Sequence, residues 1–219
     1  AARGDDLAAV ADLGRRVAAA SRSMAVAFRA CTVPGASAPS FELGDDEVEV
    51  GVGIHGERGT ARANTLTARE VVDTLLDPVL SALDAGDGDD VLLVVNGLGG
   101  THALEIAVVF GDALDALAAR GVRVRRHLVG TYVTAFDMAG VSLTVVRCGP
   151  DLPTDDVLAL WDAPTAAPAW PHAPAGELHS DSVVDGERPS DTEGSASGDD
   201  GEPDPVVTAW ITSFTQRVR

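Results

Sequence analysis

The sequence predicts an α/β fold in which a layered, mixed β-sheet is flanked by helices. Three segments have apolar residues at three- and four-residue steps, which is typical of amphipathic helices. Between these segments lie alternating or β-branched runs typical of strands, and residues 91–95 form one continuous apolar run. This alternation of helices and strands predicts a sheet with helices packed on it, although it predicts no strand order.

The first half of this domain is expected to begin with a long helix. Helical spacing of apolar residues extends over residues 5–29, and the prolines that follow end it. Residues 46–54 alternate and are expected to form a strand. A second helix is expected over residues 71–83, with a kink or a new turn at Pro78.

The second half is expected to contain the centre of the sheet. The apolar run at residues 91–95 suits a strand that is covered on both faces. Thr101 is expected to cap the next helix, and Gly121 to end it. Residues 122–129 and 141–147 are rich in β-formers and are expected to complete the sheet.

The composition changes near the end of this domain, which is assigned to residues 1–170. Residues 171–205 are rich in proline, glycine, serine and acids, and are expected to form a disordered acidic linker. Residues 206–219 are expected to form one isolated helix. Its apolar stripe consists of Val207, Trp210, Ile211, Phe214 and Val218.

Composition and charge exclude several classes of protein. The formal net charge is −18, lysine is absent and the arginines form no basic cluster, so nucleic-acid binding is not expected. No apolar run approaches the ~18 residues of a membrane span. Cys31 and Cys148 indicate neither a disulfide framework nor a metal site, and a cytoplasmic protein with reduced thiols is expected. The chain begins with Ala1, which favours a piece of a longer protein.

His55 is the candidate functional residue. It follows a strand-like alternation and is surrounded by glycines, with Glu57 two residues later. Glycines allow a sharp turn and the close approach of a ligand. A neutral imidazole in such a place could bind a metal, move a proton or add to a carbonyl carbon. The alternative from residue types alone is a histidine that only completes a glycine-rich turn.

The other polar segments carry weaker signals. The loop Asn96–Thr101 follows a strand and precedes a helix, so its glycines serve either close packing, which we favour, or anion binding. It matches neither the phosphate loop nor the dinucleotide fingerprint. Asp137 is expected only to brace a turn. The remaining histidines lack ligand spacing, so no metal site is predicted; they are His102, His127, His172 and His179.

Several motifs, in order, together resemble the C-terminal part of the substrate-binding domain of dihydroxyacetone (glycerone) kinases. The resemblance extends over roughly residues 5–170. The motifs are Cys31-Thr32-Val33-Pro34, Phe41-Glu42-Leu43-Gly44, Gly51-Val52-Gly53-Ile54-His55-Gly56-Glu57, Val95-Asn96-Gly97-Leu98-Gly99-Gly100-Thr101, Gly130-Thr131-Tyr132-Val133-Thr134, Asp137-Met138-Ala139-Gly140-Val141-Ser142-Leu143-Thr144 and Leu160-Trp161-Asp162-Ala163-Pro164.

The resemblance implies a catalytic and substrate-binding role for His55, through a covalent hemiaminal with dihydroxyacetone. It also implies ATP and magnesium as cofactors, bound outside this fragment by a nucleotide-binding domain in the same chain, of which residues 206–219 would be the first helix. The fragment alone would be inactive, and a homodimer is possible. Glu57 either orients the ring or, as we favour, faces water.

Three other functions remain open at this point. The domain could be a dihydroxyacetone kinase subunit fed by a phosphotransferase system, or a non-catalytic regulator that binds a ketone. It could also be a fatty-acid-binding module on a similar scaffold, which would have no use for His55. The sequence beyond Arg219 would separate the first two from an ATP-dependent kinase, and a His55→Ala variant would test the third.

Overall fold

The computed structural model describes residues 4–44, 46–54, 57–64, 66–165, 167 and 170. His55, the predicted linker at 171–205 and the predicted helix at 206–219 lie outside the described residues. The elements are α1 (Leu7–Ala19), β1 (Ser21–Arg29), β2 (Glu47–Val50), β3 (Ala61–Asn64), α2 (Ala68–Leu83), β4 (Asp90–Gly97), α3 (Ala103–Ala119), β5 (Arg123–Gly130), β6 (Ala139–Arg147) and α4 (Thr154–Trp161).

The six strands form one mixed sheet in the order β3-β2-β1-β6-β4-β5. Strands β4 and β5 are parallel, joined through α3, and the other neighbouring pairs are antiparallel. The predicted α/β class with a mixed sheet is therefore confirmed. The apolar run at residues 91–95 lies in β4, between β6 and the edge strand β5.

One face of the sheet is covered by α2 and α3, which enclose the main hydrophobic core. Alternate residues of the strands point into this core, among them Val26, Leu93 and Leu143. Helix α2 contributes a continuous buried stripe that includes Leu75 and Leu76, both with no exposed surface. Burial of this apolar area is the main stabilising contribution to the fold.

The opposite face is covered mainly at its two ends. At one end α1 and α4 pack over Leu92 and Val146, with Leu152 and Val157 completing a small cluster. At the other end loops pack over the small residues of β1; this cluster comprises Ala25, Ala27, Ala30, Cys31, Phe41, Val52, Leu98, Ala135 and Met138. The middle of this face is left as the floor of a cavity.

The helix predicted over residues 5–29 is wrong in its second half. Helix α1 ends at Ala19, and residues 21–29 form β1, which pairs with both β2 and β6. Its residues also have strand alternation, since Met24 and Phe28 pack against the main core while Ala25 and Ala27 face the other way. Pairing on both sides outweighs the helical propensity of its alanines.

The start of α3 also differs from the prediction. His102, not Thr101, is the N-cap residue, and its N–H donates to the Glu105 carboxylate at 2.7 Å. The Thr101 hydroxyl bonds instead to Gly140, donating to its carbonyl oxygen at 2.6 Å and accepting from its N–H at 2.7 Å. Thr101 is 9% exposed, so tertiary contact has replaced local capping.

The remaining differences concern short elements. Helix α2 continues through Pro78 without a new start. The predicted strand at 46–54 is limited to Glu47–Val50, because the chain turns at Gly51, whose φ is 81°. Among the described residues, none of the helices is long and apolar enough to cross a membrane.

Candidate functional site

His55 belongs to the loop of residues 51–60, which joins the antiparallel strands β2 and β3. The base of this loop is fixed on both sides. The N–H of Gly51 donates to the Ala25 carbonyl oxygen of β1 at 2.7 Å, and the N–H of Thr60 donates to the Val50 carbonyl oxygen at 2.8 Å. The described residues at the base of this loop are therefore tied to β1 and β2.

Glu57 folds back over the start of the loop. Its carbonyl oxygen accepts a hydrogen bond from the Gly53 N–H at 3.4 Å, which brings residues 53 and 57 together. A Cβ atom on Gly53 would clash with the Glu57 carboxylate, so the Glu57 side chain lies directly against Gly53. Glu57 is exposed, in line with the expectation that it faces water, although its side chain also lies over Gly53.

Glu49 anchors the other end of the loop. Its carboxylate is 3% exposed and accepts hydrogen bonds from the Gly59 N–H at 3.0 Å and from the Arg62 Nε at 2.9 Å. A Cβ atom on Gly59 would clash with the Val50 carbonyl oxygen, which shows how closely the loop approaches β2. Sequence reasoning missed Glu49, because strand alternation places it on the face expected to meet solvent.

The loop Asn96–Thr101 is packed tightly against residues 136–140. The N–H groups of Leu98 and Gly100 donate to the carbonyl oxygens of Gly140 and Met138 at 3.0 and 2.8 Å. Gly99 has a φ of 125°, and a Cβ atom there would clash with the Phe136 carbonyl oxygen. These contacts support close packing over anion binding, since two of the loop's N–H groups are already used.

The sequence also did not single out Asn96 from the loop Asn96–Thr101. Its side chain is buried and holds the segment after β5, with Oδ1 accepting from the N–H groups of Tyr132 and Val133 at 2.8 and 2.9 Å. Its Nδ2 donates to the Val133 carbonyl oxygen at 2.8 Å and lies 3.2 Å from Ser142 Oγ. An asparagine that ends a buried strand beside a glycine was the available signal.

A cavity of about 570 Å³ lies on the partly covered face of the sheet. Its three walls come from distant parts of the chain: Val52 to Ile54, which lead into His55; Tyr132 and Val133; and Ala167 with Trp170. The floor is formed by Ser23, Met24, Ala25, Val94, Asn96, Leu128, Ser142 and Thr144. The predicted functional residue therefore directly follows one wall of this cavity.

The floor is mainly apolar and carries a few hydroxyl groups. Ser23 Oγ and Thr144 Oγ1 are hydrogen-bonded to each other at 2.7 Å, and Ser142 bonds to Asn96. A mainly apolar cavity with a few placed polar groups is typical of small-molecule sites. A second cavity of similar volume lies beside Phe28, Phe41 and Glu105, and none of the described residues of the loop, 51–54 and 57–60, lines it.

Among the described residues, the other polar side chains that the sequence singled out take part in hydrogen bonds or packing within the fold. Asp137 Oδ1 accepts from the Thr32 N–H at 2.7 Å, so it joins the segment after β5 to the segment after β1. The ring of His127 packs on Phe110 with centroids 4.7 Å apart, and burial lowers the pKa of this histidine. Cys31 and Cys148 are both buried free thiols. His172 and His179 lie outside the described residues.

Comparison with known proteins gives concordant matches. Residues 1–169 match the family model described as the Dak1 domain. The chain is 43% identical over 161 residues to the triokinase/FMN cyclase of Bos taurus, covering 71% of this chain and 27% of that protein. It is 36% identical over 193 residues to the dihydroxyacetone-binding subunit DhaK of the PEP-dependent dihydroxyacetone kinase of Escherichia coli, covering 77% and 53%.

The chain is also similar to a kinase of erythrulose and to a solved structure. The L-erythrulose 1-kinase of Mycolicibacterium smegmatis is 41% identical over 156 residues, covering 69% of this chain and 26% of that protein. The solved structure of the dihydroxyacetone kinase operon co-activator Dha-DhaQ superimposes with a TM-score of 0.70 at 27% identity, covering 77% and 51%. The chain thus spans about a quarter to a half of the length of these relatives. It belongs to the dihydroxyacetone kinase family, through its Dak1 domain.

Proposed function

We propose that this chain is the ketone-binding part of a dihydroxyacetone kinase, in which His55 captures dihydroxyacetone covalently and holds it for phosphorylation to dihydroxyacetone phosphate. The observation that carries the proposal is the Dak1 match over residues 1–169, within which a Gly-Ile-His-Gly-Glu sequence falls in an anchored hairpin loop beside a cavity. The proposal of a small ketose as substrate is supported by the names of relatives, which include a dihydroxyacetone-binding subunit and an L-erythrulose 1-kinase.

The capture step requires a neutral imidazole and a carbonyl group. A ring nitrogen of His55 adds to the carbonyl carbon, a C–N bond forms and the π bond of the carbonyl breaks. The carbonyl oxygen takes up a proton while the ring loses one, so the product is an uncharged hemiaminal. Glycerol has no carbonyl and would not be captured. The held ketose then presents a terminal hydroxyl in a fixed orientation, which is the main contribution of a protein to phosphoryl transfer.

The phosphoryl donor is proposed to be ATP with Mg²⁺, bound by a nucleotide-binding domain in the same chain and outside residues 1–170. The described residues hold no group of three or more His, Cys, Asp and Glu side chains that fits a metal ion. No step of the proposal is therefore assigned to a metal within this domain. A homodimer and a cytoplasmic location complete the proposal.

Two alternatives are each favoured by one relative. The Escherichia coli relative is a subunit of a PEP-dependent kinase, which fits a domain that receives its phosphoryl group from a separate protein. The solved co-activator fits a domain that binds a ketone without phosphorylating it. Assays of the full-length protein with ATP separate the proposal from both, because only an ATP-dependent kinase would form dihydroxyacetone phosphate without another protein.

The capture step is tested by adding dihydroxyacetone labelled with ¹³C at the carbonyl carbon to the full-length protein. We expect a protein-bound resonance typical of a tetrahedral carbon, absent in His55→Ala and retained in His102→Ala, which alters an exposed histidine at the start of α3. Loss of capture should lower kcat/KM on the order of 10³-fold, because orientation of the reactants is lost. The same tetrahedral resonance in His55→Ala would reject His55 as the nucleophile.

A further inference from the structure

We propose that Asn96 is a positioning residue that fixes the cavity wall opposite the segment leading into His55, and thereby sets the length of ketose that the site accepts. This inference rests on the proposed function, since it assumes that a ketose occupies this cavity. It adds a residue from β4 that does not belong to the loop of His55.

The side-chain amide of Asn96 forms all the hydrogen bonds that it is able to form. A side-chain amide has two acceptor sites on oxygen and two N–H donors. Here all four are engaged, with two backbone N–H groups, one backbone carbonyl oxygen and the Ser142 hydroxyl at 2.8 to 3.2 Å. Asn96 is only 4% exposed, so losing any of these bonds would leave a buried polar group unsatisfied.

Three of these four hydrogen bonds hold the same two residues. Tyr132 and Val133 follow the last residue of β5, where the parallel pairing of β4 and β5 ends at Asn96 and Gly130. Beyond this point the Asn96 side chain, in place of strand pairing, forms hydrogen bonds with the backbone of both residues. Val133 is 50% exposed, so burial of its side chain does little to hold the segment. The Tyr132 hydroxyl also donates to the Val129 carbonyl oxygen at 3.3 Å, but the backbone N–H groups of Tyr132 and Val133 are held by the amide.

The segment that leads into His55 lines the same cavity as Tyr132 and Val133. Gly53 and Ile54 form another wall of the same cavity, and His55 is the next residue. A ketose bound in this cavity would lie between Ile54 and Val133, which both line it. The relatives act, by their names, on ketoses of three and of four carbons, and one additional carbon in a pocket changes the discrimination between substrates about 10- to 200-fold.

The test is the ratio of kcat/KM for L-erythrulose to kcat/KM for dihydroxyacetone, measured on the full-length protein with Asn96→Asp. The aspartate retains both acceptors but places a carboxylate oxygen against the Val133 carbonyl oxygen, where Nδ2 donated. Repulsion should move the wall outward and admit the longer ketose, raising the ratio on the order of tenfold. The ratio does not depend on the amount of folded enzyme, so partial misfolding leaves it readable.

Two further variants show whether the effect is local. Thr101→Val removes a buried hydroxyl that holds residue 140 and lines no part of this cavity, so its ratio should equal that of the wild type. Val133→Ala shortens the wall itself at an exposed position and should shift the ratio in the same direction as Asn96→Asp.

The outcomes separate this inference from the proposed function. An active wild type with an unchanged ratio in both Asn96→Asp and Val133→Ala would overturn the positioning role and leave the kinase intact. An equal shift in Thr101→Val would also overturn it, because any buried polar defect would then suffice. A wild type that phosphorylates neither ketose would reject the proposed function, and this inference with it.

Discussion

At the scale of single residues, the hairpin loop of His55 depends on a buried carboxylate. Glu49 lies on β2 and receives hydrogen bonds from the Gly59 N–H and from Arg62. Arg62 also donates to Glu47 at 3.0 Å on the same strand, but Glu47 has a side chain that is 40% exposed while that of Glu49 is 4% exposed. Because Glu49 is buried, its contact with Arg62 is stronger than the contact of Glu47 with Arg62.

We expect Glu49→Gln to lower the free energy of unfolding by about 2 kcal/mol, since hydrogen bonds to a buried charged acceptor are lost or weakened. Capture of ¹³C-labelled dihydroxyacetone should weaken as well, because the loop loses its anchor. Glu47→Gln is the matched control and should change the unfolding free energy by less than about 1 kcal/mol. Urea unfolding together with the ketone titration would check this, and equal effects in the two variants would contradict it.

Sequence reasoning identified His55 because its signal is local: a histidine among glycines at a strand end. Glu49 and Asn96 carry no comparable local signal, since their importance comes from partners brought in by folding. The partners of Asn96 lie 36 to 46 positions away, at Tyr132, Val133 and Ser142. Alternation alone places Glu49 on a solvent-facing side of β2, whereas the hairpin loop folds back and covers it.

At the scale of elements, the sequence predicted long helices and apolar strands better than short or alanine-rich ones. The main part of α2 and the helix α3 follow strong periodic patterns, and the strand β4 is a continuous apolar run. The strand β1 was merged with the preceding helix because alanine-rich residues fit both periods, and only pairing with β2 and β6 distinguishes them. The short strand β3 and helix α4 have too few residues to show a period.

Asp90 links three elements and makes their attachment sensitive to acid. Its carboxylate accepts from Arg123 of β5 at 2.7 Å, from Arg125 at 3.0 Å and from the Thr154 hydroxyl of α4 at 3.0 Å. Burial acts to raise the pKa of Asp90, but the hydrogen bonds from Arg123 and Thr154 and the two arginine charges together hold it below its usual value. The charged form is therefore favoured in the folded state.

A lowered pKa in the folded state contributes stability that is present above the unfolded pKa of about 3.9 and lost as pH falls through the folded pKa. At pH 7 we expect Asp90→Asn to be less stable than the wild type by about 1–3 kcal/mol. The difference should shrink as the pH falls below about 4. Urea unfolding at several pH values would check this, and a difference that stays constant down to pH 3 would contradict it.

At the scale of the whole molecule, the two faces of the sheet are covered differently. Helices α2 and α3 enclose one face along its length, whereas α1, α4 and the loops cover the ends of the other. The chain after α4 then returns over the remaining gap. Its path is fixed where it leaves the helix, because Asp162 accepts two hydrogen bonds from Arg126 at 3.0 and 2.7 Å.

Trp170 is the aromatic residue, beside Ala167, by which this returning segment reaches the cavity. Its ring packs edge-on against Trp161 with centroids 4.8 Å apart, and it lines the same cavity as Ile54 and Val133. A ketose bound there would change the surroundings of the Trp170 indole.

We therefore expect dihydroxyacetone to change the tryptophan fluorescence of the full-length protein, and Trp170→Phe to remove most of that change while retaining the aromatic contact with Trp161. Trp210→Phe, which alters a tryptophan outside the described residues, should keep it. Fluorescence titration of the two variants and the wild type checks this, with tryptophans elsewhere in the full-length protein acting as a constant background. A change that survives in Trp170→Phe would place the ketone away from this cavity.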